Sequence, residues 1–204
     1  MLFDYEKSDG SGTTRVQVDP HALEGNARLD YALARLLGPI PTGIQPLKLS
    51  PHIVKPRAQL LMVHHPAGQT KKMTRFNCLA AKSTKQQGPF LRHVCESLPG
   101  SSGGILFDMQ IGAVGLHHSG GLDKNDPDSF NKGTLLARLV TVSKRLELIA
   151  RHQALPLSIA HKSAPQKPAS NTQSTSNTIN NMLESTTQKS KDHSDQINDI
   201  LNRP

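Results

Sequence analysis

No tryptophan occurs in the 204 residues, and aromatic side chains make up only 3% of them. Hydrophobic residues reach 35%, a lean supply for a chain long enough to build one substantial core, so part of it is expected not to fold. Long apolar runs are missing as well, and no segment approaches the length needed to span a bilayer, so no membrane partner is expected. The first residues, MLFDYEKSDGSG, carry acidic side chains and no apolar stretch. They do not read as a signal peptide, and a cytoplasmic location is the expectation, unless an upstream piece is missing. Cysteine is nearly absent. Cys78 and Cys95 could pair if the strands carrying them were neighbours, but two free thiols in a reducing compartment are the simpler default.

Acidic residues are outnumbered, 16 against 24 Lys and Arg, for a formal charge of +8. The basic residues are scattered, however, and the one compact cluster, Lys71, Lys72 and Arg75, lacks interleaved stacking aromatics. It reads as a solvated basic loop, and nucleic acid is not an expected partner. Histidines occur in pairs, His64-His65 and His117-His118, without a Cys or carboxylate at ligand spacing. Neither a metal nor any other cofactor is expected.

The composition shifts near Pro156. Before it, apolar clusters alternate with Gly/Pro punctuation. After it the chain turns Ser-, Thr-, Asn- and Gln-rich to Pro204, too polar to offset the entropy of ordering. Residues 1–155 are thus read as one folded domain and 156–204 as a disordered tail. Two islands in that tail, Ile179/Met182/Leu183 and Ile197/Ile200/Leu201, have helical spacing and fit transient helices. Within the domain the signals are mostly β. Val16 and Val18 alternate with polar neighbours, and Gln59–His64, Ile105–Phe107 and Ile111–Leu116 are short apolar runs between turn signals. Leu135, Leu139, Val142, Leu146 and Ile149 then form one helical stripe, with Asn131 or Thr134 as candidate caps. Leu29–Leu37 fits a helix and a buried strand equally. An all-β body closed by one C-terminal helix is the predicted architecture.

The sharpest chemical signal is LPGSSGGILF, residues 98–107. Acyl transfer needs a hydroxyl nucleophile beside backbone N–H groups aimed at a developing oxyanion. In Gly-x-Ser-Gly-Gly, Gly100 permits a sharp turn, and its N–H with that of Ser102 could form the anion-binding pair. Taken alone, the five residues fit a glycine-rich β-turn equally well. The context is a predicted hairpin, Ile105–Phe107 and Ile111–Leu116, ending in His117-His118-Ser119-Gly120-Gly121.

The stretch PGSSGGILFDMQIGAVGLHHSGG resembles the nucleophile region of trypsin-like serine peptidases, especially the bacterial-type branch with the glutamyl endopeptidases and HtrA-type proteases. Upstream, Asp30-Tyr31-Ala32-Leu33-Ala34-Arg35-Leu36 is similar to the segment that carries the family's aspartate, and Val63–Gly68 is similar to the opening of its second barrel. The resemblance covers about Leu2 to Leu148. It implies two antiparallel β-barrels, the first incomplete, with the site between them and a helix at the C-terminus. It implies Ser102 as nucleophile, Asp30 as the carboxylate that orients a histidine, and Gly100 and Ser102 as oxyanion donors. Ser97 and His117 would line the substrate pocket; Glu96, beside Ser97, would instead favour a basic side chain, so specificity stays open. Ser101 stands where digestive members of the family have an aspartate, so activation by N-terminal cleavage is not implied. The departure is the histidine. His21, in a turn context, is the only one before Asp30, and nothing there matches the family's histidine motif. His64, His65, His93, His117 and His118 remain as substitutes. The expected function is therefore a serine endopeptidase-family domain, acting on polypeptides but deficient as written, or alternatively a non-catalytic peptide- or protein-binding module on the same fold.

Overall fold

In the computed structural model, residues 1–82, 88–123 and 125–154 are described. Ten strands carry the fold: β1 (Leu2–Phe3), β2 (Thr14–Arg15), β3 (Val18–Asn26), β4 (Tyr31–Leu36), β5 (Leu61–His64), β6 (Lys72–Thr74), β7 (Phe90–His93), β8 (Ile105–Phe107), β9 (Ala113–Ser119) and β10 (Asn131–Leu135). Two helices follow, α1 (Leu136–Val142) and α2 (Lys144–Ala154). One compact unit spans Met1–Gln153. The predicted polar tail, 156–204, lies outside the described residues, as do its two apolar islands.

Six strands form one antiparallel sheet in the order β6-β5-β8-β9-β10-β7. Alternation drives it: β5 and β7 bury every second side chain, as expected of strands with one face on a core. Leu60, Met62, Leu91, Leu106 and Val114 are essentially inaccessible and share one cluster with Cys78 and Cys95. The sheet is an open ladder. Its flanks are drawn together by the segment 78–81, whose backbone hydrogen-bonds to Ala58 and Leu60 on one side and to Arg92 and Val94 on the other. The first half of the chain forms only two separate pairs, β1–β2 and β3–β4.

The ambiguous segment Leu29–Leu37 is a strand. Leu29 and Tyr31 pack on the cluster of Phe107, Ala113, Leu136 and Leu139, and the Thr134 hydroxyl donates to the Leu29 carbonyl. These long-range contacts hold the β3–β4 hairpin on the main sheet.

Three expectations are corrected. Cys78 and Cys95 form a disulfide, because both sit fully buried where segment 78–81 runs beside the end of β7. The single C-terminal helix is two. The chain breaks at Ser143, whose backbone is extended, and the Ser143 hydroxyl oxygen accepts the Leu146 N–H at the start of α2. Neither Asn131 nor Thr134 caps a helix, since both belong to β10. Asn131 is instead a buried hub: its Nδ2 donates to the Cys95 carbonyl and Ser97 Oγ, and its Oδ1 accepts the Gly121 and Leu122 N–H groups.

Candidate active site

The glycines of 100–104 do specific work in shaping the turn. Gly100 has φ +89° and Gly103 φ +84°, in the left-handed region where a side chain is strained. A Cβ on Gly104 would lie 2.9 Å from both the Ser101 carbonyl oxygen and His64 Cβ. The turn is bolted to its surroundings. Ala67 N–H donates to the Pro99 carbonyl at 2.7 Å, Gly104 N–H to the Ser101 carbonyl at 2.9 Å, and Gly103 N–H to the His117 carbonyl at 2.8 Å. All peptides among the described residues are trans, so each N–H points opposite to the carbonyl of its own peptide unit. With the Pro99 carbonyl held by Ala67, Gly100 N–H faces away from that turn. With the Ser101 carbonyl held by Gly104, Ser102 N–H faces away from the turn's interior. Among the described residues neither N–H has an acceptor.

Ser101 and Ser102 have opposite fates. Ser101 is buried, 1% exposed, and its hydroxyl lies 2.8 Å from His64 Nδ1 while accepting the Leu98 N–H at 3.1 Å. His64 Nε2 lies 3.1 Å from Thr74 Oγ1, and Thr74 donates its single hydroxyl proton to the Glu96 carbonyl. Donor counting fixes the tautomer. Thr74 can only accept from His64, so Nε2 carries the proton and bare Nδ1 accepts from Ser101. Burial lowers the pKa of His64, with the nearby His65 adding to the shift, which keeps the ring neutral as this relay requires.

Ser102 is exposed, and its hydroxyl donates to the His118 carbonyl at 3.3 Å. His118 Nδ1 lies 3.5 Å from Asp30 Oδ2. Asp30 itself sits at the β3–β4 turn with φ +51°, where the Asn26 side chain accepts the Arg28 and Leu29 N–H groups and shapes the bend. The predicted nucleophile and carboxylate therefore meet at one residue, His118, through its backbone on one side and its ring on the other. Burial lowers the pKa of His118 while the Asp30 carboxylate pulls it back up. Its Nε2 is buried without a hydrogen-bond partner, and Phe90 packs edge-on against the ring at 5.5 Å.

Of the predicted pocket residues, His117 lies on β9 and Ser97 in the segment that follows β7. His117 is buried on β9, with Nδ1 3.1 Å from His93 Nε2. Burial drives both rings well below the usual histidine value, His93 to about 3 and His117 to about 4, with His117 and His118 adding to the shift of His93 and His118 and His64 to that of His117. Ser97 is half-buried and takes its hydrogen bond from Asn131. Glu96 is exposed. No group of three or more metal-ligating side chains occurs among the described residues. Concavities of about 310 and 400 Å³ exist, but they are bordered by Ile53, Phe90 and Arg138 in one case and by Arg15, Leu37 and Thr42 in the other, away from Ser102.

The family model for the trypsin-like peptidase domain matches residues 5–116. The chain belongs to that family. It is a serine-protease-family domain, and such domains act on polypeptides. The match takes in Asp30, Ser97, Gly100 and Ser102 and stops one residue short of His117. Among curated proteins none matches the chain. Three features of this peptidase-type site were not foreseen from the sequence: the Ser101–His64–Thr74 relay, the Asp30–His118 contact and the burial of His93 against His117. His64 was part of the Val63–Gly68 match, and a histidine closing an apolar strand run was the one available signal of the relay.

Proposed function

We propose that this serine-peptidase-family domain does not hydrolyse peptide bonds by itself, because Ser102 has no general base. The observation that carries this is the partner of Ser102 Oγ, a carbonyl oxygen rather than a ring nitrogen. Each histidine weighed as a substitute is engaged elsewhere. His64 is held by Ser101 and Thr74, His65 by the Gln69 carbonyl and the Tyr5 ring, and His93 and His117 by one another, while the His118 ring, which meets Asp30 through Nδ1, makes no hydrogen bond to Ser102 Oγ with its buried Nε2. An unactivated serine hydroxyl is a poor nucleophile near neutral pH, and a site without a working triad keeps only about 10³–10⁴-fold over water from oxyanion and binding effects.

In this reading Ser102 occupies the nucleophile position, Asp30 the orienting position, and the Gly100 and Ser102 N–H groups the oxyanion position. Ser97 and His117 line the substrate pocket. His117 is neutral there, so it would recognise a side chain by a hydrogen bond and not by charge. The domain extends over 1–155 with a polar tail behind it, and its ligands are polypeptides rather than nucleic acid or membrane. The Cys78–Cys95 bridge favours an oxidising compartment over the cytoplasm expected from the first residues.

A fluorophosphonate probe tests the central point. Intact-mass analysis should find no adduct that depends on Ser102, and an adduct abolished by Ser102→Ala would overturn the deficiency. The non-catalytic alternative, peptide binding on a protease fold, is supported by one particular observation: the Gly100 and Ser102 N–H groups have no acceptor among the described residues.

A further inference from the structure

The core cluster of the main sheet has an uncovered edge. Val54 is 7% and Leu91 1% exposed, and Leu135 packs on the same cluster, yet Ile53, the neighbour of Val54, is 80% exposed. Between these residues and the first turn of α1, which carries Ala137 and Arg138, lies a cavity of about 310 Å³. That volume is at the small end of the ~300–1,000 Å³ typical of small-molecule sites. Every side chain along it is apolar except that of Arg138. Among the described residues the Arg138 guanidinium has no ion pair. We propose that this cavity binds a small monocarboxylate with an aliphatic body, of about the size of octanoate.

The two parts of the ligand follow from two features of the wall. Hydrocarbon laid on Val54, Leu91 and Leu135 also covers the exposed Ile53, and each methylene so buried is worth roughly a fourfold gain in affinity. The guanidinium is a planar donor fork that matches a carboxylate bidentately and keeps its charge at any ordinary pH. A neutral ligand leaves that fork to water and a cationic one is repelled by it, while the formal +8 of the chain favours anions in general. None of the residues around Ser102 lines the cavity. Phe90 is what the two places share, since it borders the cavity and its ring packs edge-on against His118 at 5.5 Å. The carboxylate site is thus a second one on this domain, beyond the reading of Ser102 and independent of it.

The experiment titrates the full chain, labelled with ¹⁵N, with octanoate, butanoate and octanamide. Octanoate should move the Leu91, Leu135, Ala137 and Arg138 amide resonances, with a Kd on the order of 1 mM or tighter. Butanoate should bind at least about tenfold more weakly for its missing methylenes, and octanamide at least about fivefold more weakly for its missing charge. Arg138→Gln, at an exposed position, should bring octanoate down to the octanamide level and leave octanamide unchanged. Ile53→Asp, also exposed, should weaken octanoate by placing a negative charge at the mouth, and Ser102→Ala should alter none of the three affinities. Equal binding of octanoate and octanamide, or resonances along the cavity that do not move, overturns the proposal in the wild-type chain alone, whatever the variants do. Octanoate shifts that Ser102→Ala removes overturn it too. The reading of Ser102 fails separately: a fluorophosphonate adduct that depends on Ser102 contradicts the deficiency and leaves the carboxylate cavity standing.

Discussion

Lowering the pH should destabilise this fold well before its carboxylates titrate. The cause is the buried pair His93 and His117, 0% and 2% exposed, which stay neutral in the folded chain with values near 3 and 4 against an ordinary 6.5. Below 6.5 the unfolded chain takes up both protons and the folded one does not, so stability is full above that value and is lost as the pH falls from it toward the folded values. At about pH 5 each ring lies roughly 1.5 units below its unfolded value, worth about 2 kcal/mol, so the pair costs about 4 kcal/mol relative to pH 7.5. That figure needs only that both folded values lie below 5. His64 and His118, also lowered by burial, add in the same direction. The lowered carboxylates Glu6, Asp9, Asp19 and Glu147 act in a more acid window, since their ordinary values are 4.5 and 3.8. Guanidinium unfolding across about pH 7.5 to 5 reads the effect, at a slope of about 2.7 kcal/mol per unit near pH 5. His117→Gln should remove about half of that slope. A stability that is flat or rising as the pH falls through this range would refute the neutral buried pair.

Other perturbations test separate parts of the architecture. Reducing the Cys78–Cys95 bridge releases a 17-residue separation and should cost about 3 kcal/mol by the loop-entropy relation, read as a shift in the guanidinium midpoint with and without reductant. Asn131→Ala strips partners from the Gly121 and Leu122 N–H groups and the Cys95 carbonyl at once, and a loss of about 3 kcal/mol or more is expected in the same assay. Gly104→Ala places a Cβ 2.9 Å from the Ser101 carbonyl, so the Gly100 and Ser102 amide resonances should move together with a destabilisation of about 1–3 kcal/mol.

The legible parts of this molecule were those written in short stretches of chain. The hairpin read as Ile105–Phe107 with Ile111–Leu116 depends on neighbours in sequence, and it forms, with its second strand at Ala113–Ser119 and Ile111 in the turn. The Leu29–Leu37 segment could not be decided from periodicity because its strand pairing is fixed by Leu29 and Tyr31 docking on residues beyond position 100. The stripe from Leu135 to Ile149 runs unbroken through Ser143, so the sequence pattern concealed the break, which leaves Val142 exposed. The disulfide and the relay were hidden for one reason. Ser101 and His64 are 37 positions apart and Cys78 and Cys95 17, and only the sheet topology brings either pair together. His118 was among the candidates for a substitute base, yet no local pattern says that its ring faces Asp30 while its carbonyl faces Ser102.

Hydrolysis of a randomised internally quenched peptide library, followed side by side for the wild-type chain and Ser102→Ala, addresses the missing base most directly. The two proteins should give the same background rate. A wild-type rate clearly above that of Ser102→Ala would mean that a base reaches the Ser102 hydroxyl after all, and the account of the site would have to be abandoned.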